Sequence, residues 1–198
     1  MATPKTDVQP RFRKPISAAG FYRETATGLI IGACPFAESL GAPAAKGTTD
    51  VHAGFAGNDA SNDFPGPFTD PDVPRNLRVD FAAAWDGGNV TVVGVDQFGA
   101  AVTEVFTASA GSTVVGTKIF AGVTSATKGA VGAAADAASI GTGDKLGLSA
   151  DLVADVGSLT QNGFHQASTW DSATSGVTPS SNLPNGSRVY AVSYVAAL

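Results

Sequence analysis

The sequence predicts an all-β protein: a β-sandwich or an immunoglobulin-like or jelly-roll body at 76–198, preceded at 1–75 by an extended N-terminal arm and surface-draping loops. Three observations predict it. From Asn76 to Trp85, Leu77, Val79, Phe81, Ala83 and Trp85 alternate with Asn76, Arg78, Asp80 and Asp86, the period-two pattern of a half-buried strand. Two further runs, Val90–Val95 and Ala101–Phe106, are separated by Asp86-Gly-Gly-Asn89 and Asp96-Gln-Phe-Gly99. Those turn chemistries predict a three-strand antiparallel meander. The Ala-rich run Gly129–Ala138 is broken by Gly129 and Gly132 and lacks caps, so it reads as a loop or tightly packed edge rather than a helix.

Taken in order, residues 1–16 carry Pro4, Pro10 and Pro15 among polar and charged side chains. Such a stretch cannot build a helix and has little to bury, so it reads as an arm. Thr27–Cys34 reads as a short apolar strand ended by Pro35. From Phe36 to Arg75, glycines and prolines recur too often for regular elements, which predicts a long loop ordered on contact with a surface. After the meander, strands are expected at Ser112–Ala121, Val123–Lys128 and Ala138–Leu148, with a bend at Gly122. Asp151–Thr160 alternates less cleanly, and Gln161–Pro184 reads as loop. The last strand, Ser187–Val195, is apolar on both faces, with Tyr190, Val192 and Tyr194 on one side. That places it centrally, or against another subunit.

Composition narrows the function. Of 198 residues only 15% are charged while 43% are hydrophobic, against about 25% charged in ordinary soluble domains. A surface of small neutral side chains suits a protein largely covered by neighbours, because interface cores are depleted in charge. The charge is also uneven: Lys5, Arg11, Arg13, Lys14 and Arg23 face only Asp7 and Glu24 at the start, whereas the whole chain is −5. A basic arm on an acidic body seeks an acidic partner surface or steers away from like copies. No aromatic interleaving or reading motif accompanies it, so nucleic acid is not the expected partner. No apolar run reaches the length of a membrane span and no signal-peptide core follows the leading basic residues. The expectation is synthesis in a cytoplasm without export by the usual route, and no membrane partner.

Motifs for chemistry are sparse. Cys34 is the only cysteine, so no intrachain disulfide or thiolate cage forms, and its apolar setting suits a buried thiol. His52 and His165 have no zinc spacing. The run Gly57–Asp63 lacks the glycine and closing glutamate of an EF-hand, leaving a looser calcium arrangement of Asp59, Asp63, Asp70 and Asp72 as an alternative. Gly141-Thr-Gly143 lacks the third glycine of a dinucleotide loop. No nucleophile elbow, phosphate loop or zinc-protease helix occurs. The expectation is a protein without catalytic residues, metal or cofactor.

One stretch carries a resemblance. The Thr/Val strand at 90–95, the Asp96-Gln-Phe-Gly99 turn, the Glu104-containing strand, Gly116-Thr-Lys-Ile-Phe120, Val123-Thr-Ser125 and Ile140-Gly-Thr-Gly-Asp-Lys-Leu-Gly-Leu148 together resemble virion proteins of tailed bacteriophages, a group that includes capsid decoration, or cement, proteins. Separately, the Asp96–Gly99 turn resembles that of bacterial immunoglobulin-like repeats. The resemblance implies a homotrimeric decoration protein made in the host cytoplasm and residing on the outside of the virion head, with the major capsid protein as partner. It also implies an anchoring arm, for which Arg11, Phe12, Arg13, Lys14, Phe21 and Tyr22 are the candidates, and an oligomer seam at Tyr190, Val192 and Tyr194. A tail-tube or neck component is the alternative within the same particle. A carbohydrate-binding adhesion module is an alternative of another class, and would need exposed aromatic residues on a sheet face.

Overall fold

The computed structural model describes residues 12–15, 22–24, 30–31 and 33–197, with side-chain surroundings from residue 35. Its strands are β1 (Phe12–Pro15), β2 (Tyr22–Glu24), β3 (Ile30–Ile31), β4 (Ala33–Gly41), β5 (His52–Ala56), β6 (Arg75–Phe81), β7 (Val90–Val95) and β8 (Ala101–Phe106). They continue as β9 (Thr113–Phe120), β10 (Gly122–Lys128), β11 (Ala137–Gly147), β12 (Leu152–Gln161), β13 (Phe164–Gln166), β14 (Ser168–Asp171), β15 (Gly176–Pro179) and β16 (Tyr190–Ala197). No helix occurs among the described residues. The fold is all-β, as expected, with a sandwich-like body.

Beyond the small sheet β1-β2-β3, three antiparallel sheets build the body. The largest runs β14-β15-β11-β6-β9, with β5 also on β11; the others are β10-β7-β8 and β13-β12-β16-β4. The six-stranded sheet faces both of the smaller ones, at opposite ends of β11. At one end Leu77, Val79 and Phe81 from β6 and Ala138 and Ile140 from β11 pack on Val90, Val92 and Phe106. At the other end Leu146, Leu148, Trp170 and Val177 pack on Leu152, Leu159, Tyr190, Val192 and Tyr194. Each of these apolar side chains is about nine-tenths buried or more, and burial of each contributes about 1.5–3 kcal/mol.

Between the two cores, the pairing of β11 with β6 shifts register from Thr142 to Leu146. The shift frees backbone groups that the ladder would otherwise satisfy. Arg75 and Asn76 at the start of β6 supply the partners. Arg75, with no exposed surface, donates from Nε to the Gly143 carbonyl at 2.8 Å, again from Nη2, and from Nη1 to the Ala44 carbonyl at 3.1 Å and Asp72 Oδ1 at 3.0 Å. Asn76 accepts from the Lys145 amide at 2.9 Å and donates to the Gly116 carbonyl at 2.8 Å. Gly143 has to lack a side chain, because a Cβ there would lie 2.3 Å from Asn76 Oδ1.

Three sequence expectations are corrected. The meander is broken: β7 and β8 pair as a hairpin, but β6 lies between β11 and β9, and β10 takes the place beside β7. The chain turns at Ala82–Trp85 (Trp85 N–H to Ala82 O, 3.1 Å) and crosses to the second sheet, where the 5%-exposed Trp85 fills the first core. Secondly, Phe36–Arg75 is not one loop. β4 runs through Pro35 to Gly41 on the edge of its sheet, where proline's missing N–H has no ladder partner to lose, and β5 pairs with β11. Val51, Phe55 and Phe64 from this stretch belong to the first core, so it packs on its own body. Thirdly, Gln161–Pro184 contains β13, β14 and β15. Of the loop or packed edge expected at Gly129–Ala138, residues 129–136 form no strand, and Ala137 and Ala138 open β11.

The register shift predicts a specific sensitivity. Arg75→Met keeps the volume but leaves the Gly143 and Ala44 carbonyls without their donor, and is expected to destabilise by about 3 kcal/mol or more. Arg75→Lys restores the charge without the planar fork and should recover only part of that. Urea unfolding midpoints check both; midpoints equal to wild type would remove the guanidinium from its organising role.

Candidate functional site

The proposed anchoring residues fall on the leading segment. Arg11 and Phe21 lie outside the described residues. Phe12, Arg13 and Lys14 lie on β1, and Tyr22 lies on β2 opposite Pro15 and Ile31. The expected seam residues lie elsewhere than an intersubunit surface. Tyr190, Val192 and Tyr194 are 0, 3 and 4% exposed and belong to the second core. The Tyr190 hydroxyl donates to the Asn182 carbonyl, and burial pushes its pKa up. The Tyr194 hydroxyl donates to Glu38 Oε1 at 2.8 Å; burial first, and then that carboxylate, push its pKa well above the usual phenol range. Of the two placements the sequence left open for β16, central strand or intersubunit strand, it has the first, between β12 and β4.

The reverse side of β16 is a different surface. Antiparallel neighbours share a face, and the registers place Ser158, Ser193 and Ala37 in one row and Thr160, Ala191 and Ser39 in the next. Val195 stands opposite Pro35. Ser193, Ala37, Ser39 and Val195 are exposed. No carboxylate, lysine or arginine stands in these rows. Exposed Val153 and Val156 continue the face on β12, and exposed His165 on β13 stands opposite Thr160; Phe164, opposite Gln161, falls in the row of Tyr190 on the other side of the sheet. This is a sheet face without carboxylate, lysine or arginine in its central rows, on an acidic molecule.

A second feature is concave. Asp96, Phe98, Val102, Lys118, Asp151 and Ser172 are among the residues lining a groove of about 310 Å³. It forms where the β7–β8 turn meets the β14–β15 turn, sutured by Gln97 Nε2 donating to the Thr174 carbonyl at 2.9 Å. Asp96 Oδ1 accepts from the Phe98 and Ala100 amides at 2.8 and 2.9 Å, which holds the turn and leaves Phe98 46% exposed. Beside the groove, Lys145 Nζ donates to Asp171 Oδ2 at 2.5 Å, the Thr117 carbonyl at 2.8 Å and Thr174 Oγ1 at 3.1 Å. Burial raises the Asp171 pKa, but the Lys145 and Thr174 hydrogen bonds, the Lys145 charge and the Ala173 amide outweigh it and hold the carboxyl below its ordinary value. The carboxylate is thus held ionised in a structural tie to Lys145.

The acidic loop residues do not converge. Asp59 accepts from the Ser61 amide, Asp70 from the Val123 amide, and Asp72 from the Ala44 amide and Arg75. Among the described residues no group of three His, Cys, Asp or Glu side chains is placed to hold a metal ion. The groove itself was hidden in the sequence, since its residues come from four separate stretches; its one visible sign was Phe98, a large ring inside a hairpin turn. No family model, curated protein or solved structure matches the chain.

The Lys145–Asp171 tie has a pH signature. Because the folded carboxyl titrates below its ordinary value of 3.8, its stabilisation is present at neutral pH and is lost as pH falls through the folded pKa. Asp171→Asn is expected to cost about 1 kcal/mol at pH 7, discounted for partial exposure, and close to nothing at pH 2. Urea unfolding of both chains from pH 7 to pH 2 should therefore converge; curves that stay parallel would contradict it.

Proposed function

We propose that this chain is a non-enzymatic structural protein of a tailed-phage particle, a decoration protein that sits on the outside of the head, acts as a homotrimer and bridges major capsid subunits. The observation that carries this reading is the neutral outer face of the β13-β12-β16-β4 sheet. Alanine and valine gain on leaving water and serine and threonine need only a hydrogen-bond partner there, whereas buried unpaired charges would cost several kcal/mol each. Short side chains on a paired sheet have few rotamers to give up on docking. The leading segment enters β4 at Ala33, which pairs with Ala197 at the far end of β16, so the basic stretch joins the body at the margin of that same face. Arg11, Phe12, Arg13, Lys14, Phe21 and Tyr22 then act as anchors on neighbouring subunits, while Tyr190, Val192 and Tyr194 back the face from within. Many modest contacts across seams add in avidity, so that pressure on a shell has to break them together.

Two changes separate the parts of this reading. Removing the residues before Thr25 should abolish retention on purified heads. Ser193→Lys, which places a charge at the centre of the neutral face, should lower head occupancy about tenfold while leaving thermal stability near wild type. Co-sedimentation with heads lacking the native protein measures both; wild-type occupancy for the two variants would sink the proposal.

A further inference from the structure

The leading segment and the body are opposite in charge. Residues 1–32 hold five cations against two carboxylates, a net +3, which in a chain of −5 leaves −8 on the remainder. The body's own cations are mostly engaged. Arg75 and Lys128 are buried, Lys46, Arg78 and Lys145 are paired with carboxylates, and the groove's Lys118 donates to the Thr103 carbonyl at 2.6 Å.

Within the groove, Asp151 is exposed, and its carboxylate has one contact among the described residues, from the Ser175 hydroxyl at 3.4 Å. Asp96 spends one oxygen on the turn amides and keeps the other. Phe98, 46% exposed, and Val102 are aromatic and aliphatic residues among the groove's lining. An open carboxylate beside an exposed ring and an aliphatic side chain is the complement of an alternating basic and aromatic peptide. Guanidinium pairs with carboxylate in two parallel hydrogen bonds and stacks on a ring, and an aromatic side chain packs on the aliphatic one. The chain contains one such peptide, Arg11-Phe-Arg-Lys14.

We propose that this groove receives the Arg11–Lys14 segment of a second copy of the chain, with Asp151 and Phe98 as its principal contacts. The contact joins two different surfaces and is therefore head-to-tail, closing into a ring when the rotation permits. It deepens the decoration reading and rests on that reading's self-association, supplying the seam that Tyr190, Val192 and Tyr194 do not form. The same segment that crosses capsid subunits would end on the next copy.

The test uses the full-length chain in solution, without heads, by sedimentation velocity. The wild-type chain should self-associate, and more weakly as salt rises. Asp151→Lys, Phe98→Ala, and Arg11→Glu with Arg13→Glu should each weaken association about tenfold or more. The chain combining Asp151→Lys with Arg11→Glu and Arg13→Glu should recover it, which a merely misfolded variant would not do. Circular dichroism melts confirm folding of each variant. A monomeric wild type, association unchanged by the reversals, or no recovery in the combined chain overturns the proposal. An unchanged monomer that protects residues 11–14 from protease through Asp151 would place the segment on its own groove and would overturn it equally. Because heads are absent, failure here is distinguishable from failure to bind heads.

Discussion

The buried guanidinium of Arg75 is the constraint on which the body depends. A single strand, β11, serves both cores, and it does so by shifting register against β6 between Thr142 and Leu146. A register shift inside a protein leaves carbonyls and amides without ladder partners, and those have to be satisfied or the strand straightens. Arg75 answers for the carbonyls of Gly143 and Ala44, and Asn76 for the amide of Lys145. Lys128 does the same elsewhere. Its ammonium, 3% exposed, donates to the carbonyls of Ala56, Gly57 and Asp59 and lies 5.1 Å from the Phe55 ring centroid. A chain so poor in charge spends two cations in its interior because one cation satisfies several carbonyls at once, which no neutral side chain of similar size does.

The carboxylates perform the mirror-image task. Glu104 on β8 accepts from the backbone amides of Thr117 at 2.6 Å and Lys118 at 3.3 Å. Those amides belong to β9, the last strand of the six-stranded sheet, so the side chain closes an edge that would otherwise template pairing with another chain. Asp86 accepts from the Ala133 amide at 2.7 Å and Asp136 from the Ala84 amide at 2.7 Å. These aspartates serve as acceptors for loop amides. Glu104, Asp86 and Asp136 each hold a different backbone segment, and groups holding separate backbone amides are not free to converge on one ion.

These assignments also show where sequence reasoning runs out. Strands whose two faces differ were legible: Leu77, Val79 and Phe81 on β6 point inward as the alternation requires, and β7, β8, β9 and β10 lie within a residue or two of their expected bounds. Which strand pairs with which was not, because local turn chemistry at Asp86–Asn89 fits a hairpin whether or not the chain crosses to another sheet. β4 was masked by Pro35, although Phe36, Glu38 and Leu40 alternate with Ala37 and Ser39. The β12–β13 hairpin had a readable signal in Asn162-Gly163, both at positive φ (50° and 83°), the conformation that Asn-Gly turns adopt. It was obscured by the Ser/Thr/Asn-rich sequence that follows. For β16 the apolar character of both faces was plain, but only three-dimensional packing decides which face meets the core. The tyrosines went inward because their hydroxyls find Glu38 and the Asn182 carbonyl, partners that lie 156 and 8 residues away.

That inward choice bears on what the outside is for. With the large side chains of β16 consumed by the second core, the outer face is left with alanine, serine, threonine and valine, and no charge in rows that span three strands. Like charge on two acidic bodies opposes their direct approach, and that repulsion is weakest where carboxylates are missing. Close approach is therefore least opposed on the neutral sheet, while the basic leading segment, entering at the same margin, supplies attraction toward carboxylates beyond it. The two features act on different length scales. Charge governs approach over about a Debye length, roughly 8 Å at physiological salt, and shape governs the contact itself. On the proposed decoration reading, a neutral face beside a leading segment of opposite charge is steered first and seated second, an order that follows from the seven cations and fifteen carboxylates over residues 33–197.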